Sequence, residues 1–485
     1  MLRILRRAIV LAGVVALTLL GVRAYDAQRG EPLEPWHTVV PDELDADEID
    51  QTTWNGYLEA EGAAFAEVRA EVTEKLDPSE RLAYNRYFDG SPVYPGHFAT
   101  DWNHSYILEP DGPPSGVAVF LHGLTDAPYS MRNIARRYQQ QGFVCVVIRL
   151  PGHGTVPGGL TAATWQDWMA ATRLAVREGV RRSGPGVPLE LIGYSNGGAL
   201  ALSYALTALD DSSLPRPDRL VLISPMVGVT AFARFAGLAA LPAMFPAFAR
   251  TAWITTLPEF NPFKYNSFPV NAARQSYLLT DFLQRKIRTH SQQNGLADFP
   301  PVLTFQSVVD FTVSTQAIVD ALYSHLPGNG SELVLFDINR SSKMGLLLQP
   351  SLDVAADRLL PPPPRRFTAA IVTNDDGASR DVVERSVDAG TTVERIRALH
   401  LIYPQDVFSL SHVALPFPIT DPLYGLAPAG DESFGISLGT VAARGERGAL
   451  IVSLDWLLRI NSNPFFAYMS DRIAAFSTAP HPAAQ

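Results

Sequence analysis

An α/β fold with a mostly parallel, doubly wound sheet is predicted by three observations. Short apolar runs that read as buried strands recur along the chain, at Val117 to Leu121, Phe143 to Ile148, Leu189 to Ile192 and Pro301 to Gln306. One of them, Leu189 to Ile192, leads into Gly193-Tyr194-Ser195-Asn196-Gly197 and then into the small and apolar helix start Gly198 to Leu202. The 485 residues are 47% hydrophobic, ample for the buried core that such a sheet needs.

The strand–turn–helix setting of Gly193 to Gly197 forces Ser195 onto a sharp, strained turn where its hydroxyl stands clear of the backbone. Glycines are required there because a side chain would collide with the neighbouring strand or helix. The alternative reading is an ordinary glycine-rich turn. Upstream, the strand Val117 to Leu121 ends in His122-Gly123-Leu124-Thr125. In sheets that carry a nucleophile elbow, the loop after such a strand donates one backbone N–H to a developing oxyanion, and the residue after the nucleophile donates another. Leu124 and Asn196 are the expected donors. His122 sits at the strand end and is expected to hydrogen-bond structurally rather than act as a base.

His122-Gly123-Leu124-Thr125, Arg149-Leu150-Pro151-Gly152-His153-Gly154-Thr155, Trp165-Gln166-Asp167-Trp168 and the elbow follow one another in order. This series resembles the monoacylglycerol lipase, lysophospholipase and bacterial carboxylesterase branch of the α/β-hydrolases, often grouped with the serine aminopeptidases. The resemblance covers about residues 115–325. It implies the α/β-hydrolase fold and a serine mechanism, and says much less about substrate.

The strand Pro301 to Gln306 is followed by Ser307-Val308-Val309-Asp310-Phe311-Thr312-Val313, which resembles the acid loop of that branch. Asp310 is the expected acid, to fix a histidine tautomer and stabilise its imidazolium. A turn or cap aspartate is the plain alternative, and Asp375 and Asp376 are rivals after the strand-like Phe367 to Val372. The base must follow the acid in the order Ser…Asp…His. His325 lies in a helix-like run, His400 in an alternating strand, and His481 in a terminal tail. His412 sits in a loop after the last strand and is the expected base. About a hundred residues separate it from Asp310, where the branch has a few tens, so an insertion must occupy roughly 340–395.

Charged residues make up only 18%, and the formal charge is −10, which excludes a nucleic-acid footprint. No metal-ligand spacing or phosphate-binding glycine loop is found, so no metal and no cofactor are expected. The single cysteine, Cys145, lies in a strand and cannot form an intramolecular disulfide. Arg3, Arg6 and Arg7 precede the apolar run 8–22. That layout fits a signal peptide or an uncleaved anchor, and the anchor is favoured because Val22-Arg23-Ala24 is a poor cleavage site. Either way the catalytic part is expected outside the inner membrane, tethered and facing the periplasm or exported.

The expected organisation runs as a leader at 1–30, a helical and irregular extension at 31–114, a first core part at 115–225, a lid at 226–300, an acid strand at 301–338, an insertion at 339–397, and a closing part at 398–485. Within the extension, Asp42 to Asp50 reads as a solvated acidic linker, and Tyr57, Phe65, Val68, Val72 and Leu76 form one helical stripe. Met226 to Pro258 is almost wholly apolar and is expected to form a helical lid, with Phe235 and Leu238 lining an acyl-binding wall. Gly377 to Thr391 is expected to be exposed, and Leu450 to Ile460 and Pro464 to Phe476 to close the chain as helices. The resulting expectation is a serine esterase acting on medium- or long-chain acyl esters or lysophospholipid- and monoacylglycerol-like lipids. A peptidase, an acyltransferase and a non-catalytic binding protein are the alternatives.

Overall fold

The sheet starts with β1 (Tyr106–Leu108), β2 (Gly116–Leu121), β3 (Phe143–Ile148), β4 (Leu189–Tyr194) and β5 (Arg219–Ile223). A small hairpin, β6 (Trp253–Thr255) and β7 (Phe268–Pro269), stands apart, and the sheet resumes with β8 (Val302–Ser307), β9 (Glu332–Phe336), β10 (Thr368–Asn374), β11 (Asp381–Val387) and β12 (Glu394–Ile402). The computed structural model describes residues 32–479 except 229–245, 294, 311, 350–351, 353–354, 378, 431 and 442–449, together with scattered positions before 32. The strand order is β1-β3-β2-β4-β5-β8-β9-β10-β11-β12. Every ladder from β3 to β10 is parallel, and the two ends are antiparallel.

The parallel strands are buried on both faces, as their mostly apolar runs require. Alternation along β2 sends Val117, Val119 and Leu121 into one core layer, and Ala118 and Phe120 into the other. The first layer packs under α3 (Trp165–Ser183), α4 (Asn196–Asp210) and α5 (Val270–Gln292), which supply Leu174, Leu200 and Leu279. The second lies under α2 (Arg132–Gln140) and α6 (Phe466–Thr478), which supply Ile134, Tyr138, Ile473 and Phe476. The Trp165 to Trp168 motif has a local reason: Thr164 and Asp167 exchange hydrogen bonds in a capping box that starts α3.

In the extension, α1 (Trp54–Val68) buries Tyr57 in the main core, whereas Val68 joins Val72 and Leu76 in a separate cluster with Trp36 and Tyr87, so the expected single stripe divides. The acidic run is not a solvated linker. Glu43 accepts from Arg149 Nη2 at 2.8 Å and from Gly152 N at 3.1 Å, Ile49 is fully buried, and Asp50 pairs with Arg173. With Glu61 on Arg149 Nε at 3.1 Å, these carboxylates hold the extension against the core through one buried guanidinium.

Two further expectations are corrected. Gly377 to Thr391 is not an exposed stretch, because Asp381 to Val387 forms β11 and buries Val382 and Val383. Its charged residues hid the strand: Glu384 is buried but meets Arg397, Arg472 and the Tyr468 hydroxyl. Between Leu450 and Ile460, only Leu454–Leu457 is helical. No helix among the described residues is long and apolar enough to cross a membrane. About half of the run 8–22 falls outside the described residues, and so does all of the segment 229–245, with Phe235 and Leu238, that is expected in the lid.

The insertion leaves and returns at one point. Asn339 N donates to Phe408 O at 2.8 Å, and its side-chain amide donates to Pro404 O and Val407 O at 2.9 and 2.8 Å. Tyr403 Oη donates to Asp337 O at 2.9 Å. The strands β10, β11 and β12 thus form an excursion whose two ends are hydrogen-bonded together, just before the loop that carries His412.

Candidate active site

The carboxyl ends of β2, β4 and β8 converge on one cavity, where an open parallel sheet places its ligands. Leu121 pairs with Gly193 in register, so the end of β2 lies beside the turn after β4. Ser195 sits between β4 and α4 with φ +54°, in the left-handed region that non-glycine residues avoid. Its N–H donates to Ile223 O at 3.0 Å, and its carbonyl accepts from Met226 N at 3.0 Å, which holds the strained turn in place. The turn admits no side chain at Gly197, where a Cβ would lie 1.9 Å from Leu121 O. Gly123 is equally confined, since a Cβ there would meet the Tyr194 ring at 2.9 Å and Ser195 Cβ at 3.3 Å.

Asp310 follows β8, and its carboxylate has no solvent exposure. Oδ1 accepts from Thr312 N at 2.7 Å and Val313 N at 3.0 Å. Oδ2 accepts from Gln306 Nε2 at 3.1 Å and lies 2.9 Å from His412 Nδ1. Burial pushes this carboxyl up, but the His412 imidazole and the backbone N–H groups outweigh burial and hold it below its ordinary range. His412 Nδ1–H donating to Asp310 leaves Nε2 as the free acceptor of the neutral ring. The Tyr194 ring packs against the imidazole at 5.4 Å between centroids, and Tyr194 Oη donates to His412 O at 3.4 Å.

Ser195 and His412 both line a cavity of about 520 Å3. Gly123, Leu124 and Thr125 form part of its wall, and Thr125 adopts φ +63°. Asn196 opens α4, so its N–H has no acceptor within the helix. The residues singled out in the sequence as Ser195, Asp310, His412, Leu124 and Asn196 are therefore brought together at one place.

The rival residues are placed elsewhere. His122 Nδ1 is 2.9 Å from Gly123 O and its Nε2 accepts from Leu150 N at 3.0 Å, so both ring nitrogens are engaged with backbone. Burial holds the His122 imidazole well below its usual range, and therefore neutral. His325 Nδ1 lies 2.9 Å from Ser291 Oγ, and His400 is exposed in β12. Asp375 and Asp376 lie in the turn between β10 and β11.

Sequence reasoning missed three residues at this site. Gln306 braces Asp310 from the middle of the acid strand. Lys264 and Arg459 line the cavity from distant segments, which no spacing rule connects. Among the described residues, no cluster of His, Cys, Asp and Glu could hold a metal ion.

Residues 112–337 match the family described as serine aminopeptidase, S33. A thermostable monoacylglycerol lipase of Bacillus sp. (strain H-257) is 40% identical over 58 residues, which are 12% of this chain and 23% of that protein. The match thus spans about a quarter of that relative's length. A soluble variant of monoglyceride lipase from Saccharomyces cerevisiae, solved with a substrate analogue, is 14% identical over 48% of this chain and 81% of its own, with a TM-score of 0.37. The monoacylglycerol lipase of Paleococcus ferrophilus is 17% identical over 53% of this chain and 96% of its own, with a TM-score of 0.36. The sheet order and the family match over residues 112–337 together support an α/β-hydrolase fold for the core.

Proposed function

We propose that this α/β-hydrolase cleaves carboxylic esters through an acyl-enzyme on Ser195. The observation that carries the reading is the pairing of His412 Nδ1 with Asp310 Oδ2 at 2.9 Å, on the wall of the cavity that also holds Ser195. In this reading Ser195 Oγ attacks the ester carbonyl while His412 Nε2 takes its proton. Asp310 keeps the imidazole in that tautomer and stabilises the imidazolium. The Leu124 and Asn196 N–H groups stabilise the tetrahedral oxyanion, a contribution of about 3 kcal/mol for each fixed donor. His412 then protonates the leaving alcohol, and activates the water that releases the acid.

The substrate is proposed to be a medium- or long-chain acyl ester, of the lysophospholipid or monoacylglycerol kind. Support comes from the apolar sequence of residues 226–258 and from Met226, Leu257, Phe268 and Val413 on the cavity wall. Phe235 and Leu238 are proposed as acyl contacts from sequence. A tether through residues 8–22, with the catalytic part facing the periplasm or exported, belongs to the same proposal and also rests on sequence.

Labelling with a fluorophosphonate is the direct test. Ser195 in the folded protein is expected to react, and kcat/KM on p-nitrophenyl esters to rise from acetate to decanoate, with up to about 0.8 kcal/mol per buried methylene. An unlabelled serine rejects the mechanism. A profile that peaks at acetate rejects the long-chain assignment.

A further inference from the structure

The cavity that holds Ser195 runs against the charge of the chain. The protein has a formal net charge of −10, yet the described residues of this wall include Lys264 and Arg459 and no carboxylate. Lys264 comes from the loop between β6 and β7, and the next residue, Tyr265, donates its N–H to Thr125 O at 2.8 Å. That bond fixes the lysine beside the loop that carries Leu124.

The Lys264 side chain is only 19% exposed, and its nearest acid is Asp126, whose Oδ2 lies 4.0 Å away at the outer limit of an ion pair. Asp126 Oδ1 already accepts from Ala127 N at 3.0 Å. Burial pushes the Asp126 carboxyl up, and the Lys264 ammonium opposes that shift. A lysine this buried ordinarily has a close partner, because desolvating an unpaired ammonium is costly. Arg459 donates from Nη2 to Thr312 Oγ1 at 2.5 Å, but Thr312 is uncharged, and Arg459 forms no ion pair among the described residues. Two cations, a mostly buried Lys264 with one distant carboxylate and an exposed Arg459 at the rim, therefore face one largely apolar cavity.

We propose that the substrate is an acyl ester bearing an anionic phosphate or carboxylate group, which Lys264 and Arg459 hold while the ester carbonyl lies at Ser195. This rests on the serine-hydrolase reading above and adds the charge of the substrate to it. Charge-assisted hydrogen bonds to an oxyanion are stronger than neutral ones, and a partly enclosed apolar wall strengthens them further. The anionic group takes no part in bond exchange. The acyl–oxygen bond breaks, the acyl group passes to Ser195 Oγ, the alcohol leaves with the proton from His412, and water completes hydrolysis. Arg459 and Lys264 act on selectivity.

The test compares kcat/KM for matched pairs on the full chain, below the aggregation limit of each ester. One pair places the charge on the alcohol: 1-dodecanoylglycerol 3-phosphate against 1-dodecanoylglycerol. The other places it on the acyl side: the p-nitrophenyl monoester of decanedioic acid against p-nitrophenyl decanoate. The unmodified protein is expected to favour the charged member of one pair about tenfold or more, and that pair identifies which source of anion the site takes. Lys264→Met and Arg459→Met should each remove most of that ratio, Lys264→Arg should keep it, and added salt should shrink it.

Preference for the uncharged member of both pairs overturns the proposal. So does a charged-to-uncharged ratio that neither methionine variant changes. In both cases fluorophosphonate labelling of Ser195 and turnover of the neutral esters leave the serine-hydrolase reading standing. A protein that is neither labelled nor active on any of the four esters overturns both.

Discussion

Ser195 reaches the cavity by a short route through the chain, and His412 by a long one. The serine stands between a strand and a helix that are adjacent in sequence, and its geometry is set by contacts within a few residues and by the neighbouring strand ends. The histidine meets its aspartate across 102 residues, after the chain has added β9, β10, β11 and β12. On the serine side the backbone itself is strained and no atom can be added at Gly197. On the histidine side position depends on hydrogen bonds, with the Asn339 side chain joining the ends of the excursion, and the Thr312 and Val313 backbone N–H groups and the Gln306 side chain orienting Asp310. One side is rigid through sterics. The other is rigid through hydrogen bonds.

The comparison is broken most severely by removing the reacting groups. Ser195→Ala and His412→Ala are each expected to lower kcat by about four to six orders of magnitude with the fold intact, since such residues act as a unit. Asp310→Asn should cost about 10⁴, because it spoils the tautomer without moving the ring. Steady-state kinetics beside circular dichroism check all three. Full activity in either alanine variant rejects the assignment.

Stability separates the two kinds of support. Gly197→Ala forces a Cβ into the Leu121 carbonyl and should destabilise by about 3 kcal/mol or more. Asn339→Ala removes two buried hydrogen bonds from the neck of the excursion and should cost about 2 kcal/mol. Urea denaturation measures both. If Asn339→Ala proves neutral, the excursion is held by its strand pairing and not by its neck.

The smallest effect concerns pH. The Asp310 carboxyl lies below its ordinary range in the folded protein, so its contribution to stability is present above the unfolded carboxylate range and lost as pH falls through the folded value. The difference in urea midpoint between the unmodified protein and Asp310→Asn should therefore shrink as pH falls from about 6 to about 3. A difference that stays constant means that Asp310 is not held as a carboxylate by His412.

What could be read from the chain follows the same division. The elbow was legible because its strand, turn and helix are contiguous. Asp310 was picked out by the resemblance of its loop to the acid loop of the branch and His412 by loop position and chain order, and the structure places them together. Residues whose roles depend on distant partners were opaque. The acidic run at 42–50 looked solvated because Arg149 lies 106 residues from Glu43, and β11 looked exposed because Glu384 finds its cations on β12 and α6. Lys264 carried no signal beyond one charge in an aromatic loop, and Arg459 lay within a stretch that had been expected to be helical.

Growth of the chain during synthesis meets these parts in a fixed order. A polypeptide made as far as residue 400 holds the serine and its aspartate but lacks the histidine that joins them. Glu190, buried in the strand that leads into the elbow, is in a similar position: Tyr138 Oη reaches its Oε2 early, at 2.8 Å, but Ser477 Oγ, at 2.7 Å, arrives with the final helix. A chain that stops short of residue 412 therefore lacks the proposed base, and one that stops short of residue 477 leaves Glu190 without one of its partners. Under the proposed chemistry, hydrolysis waits for the loop that carries His412 to dock against Asp310.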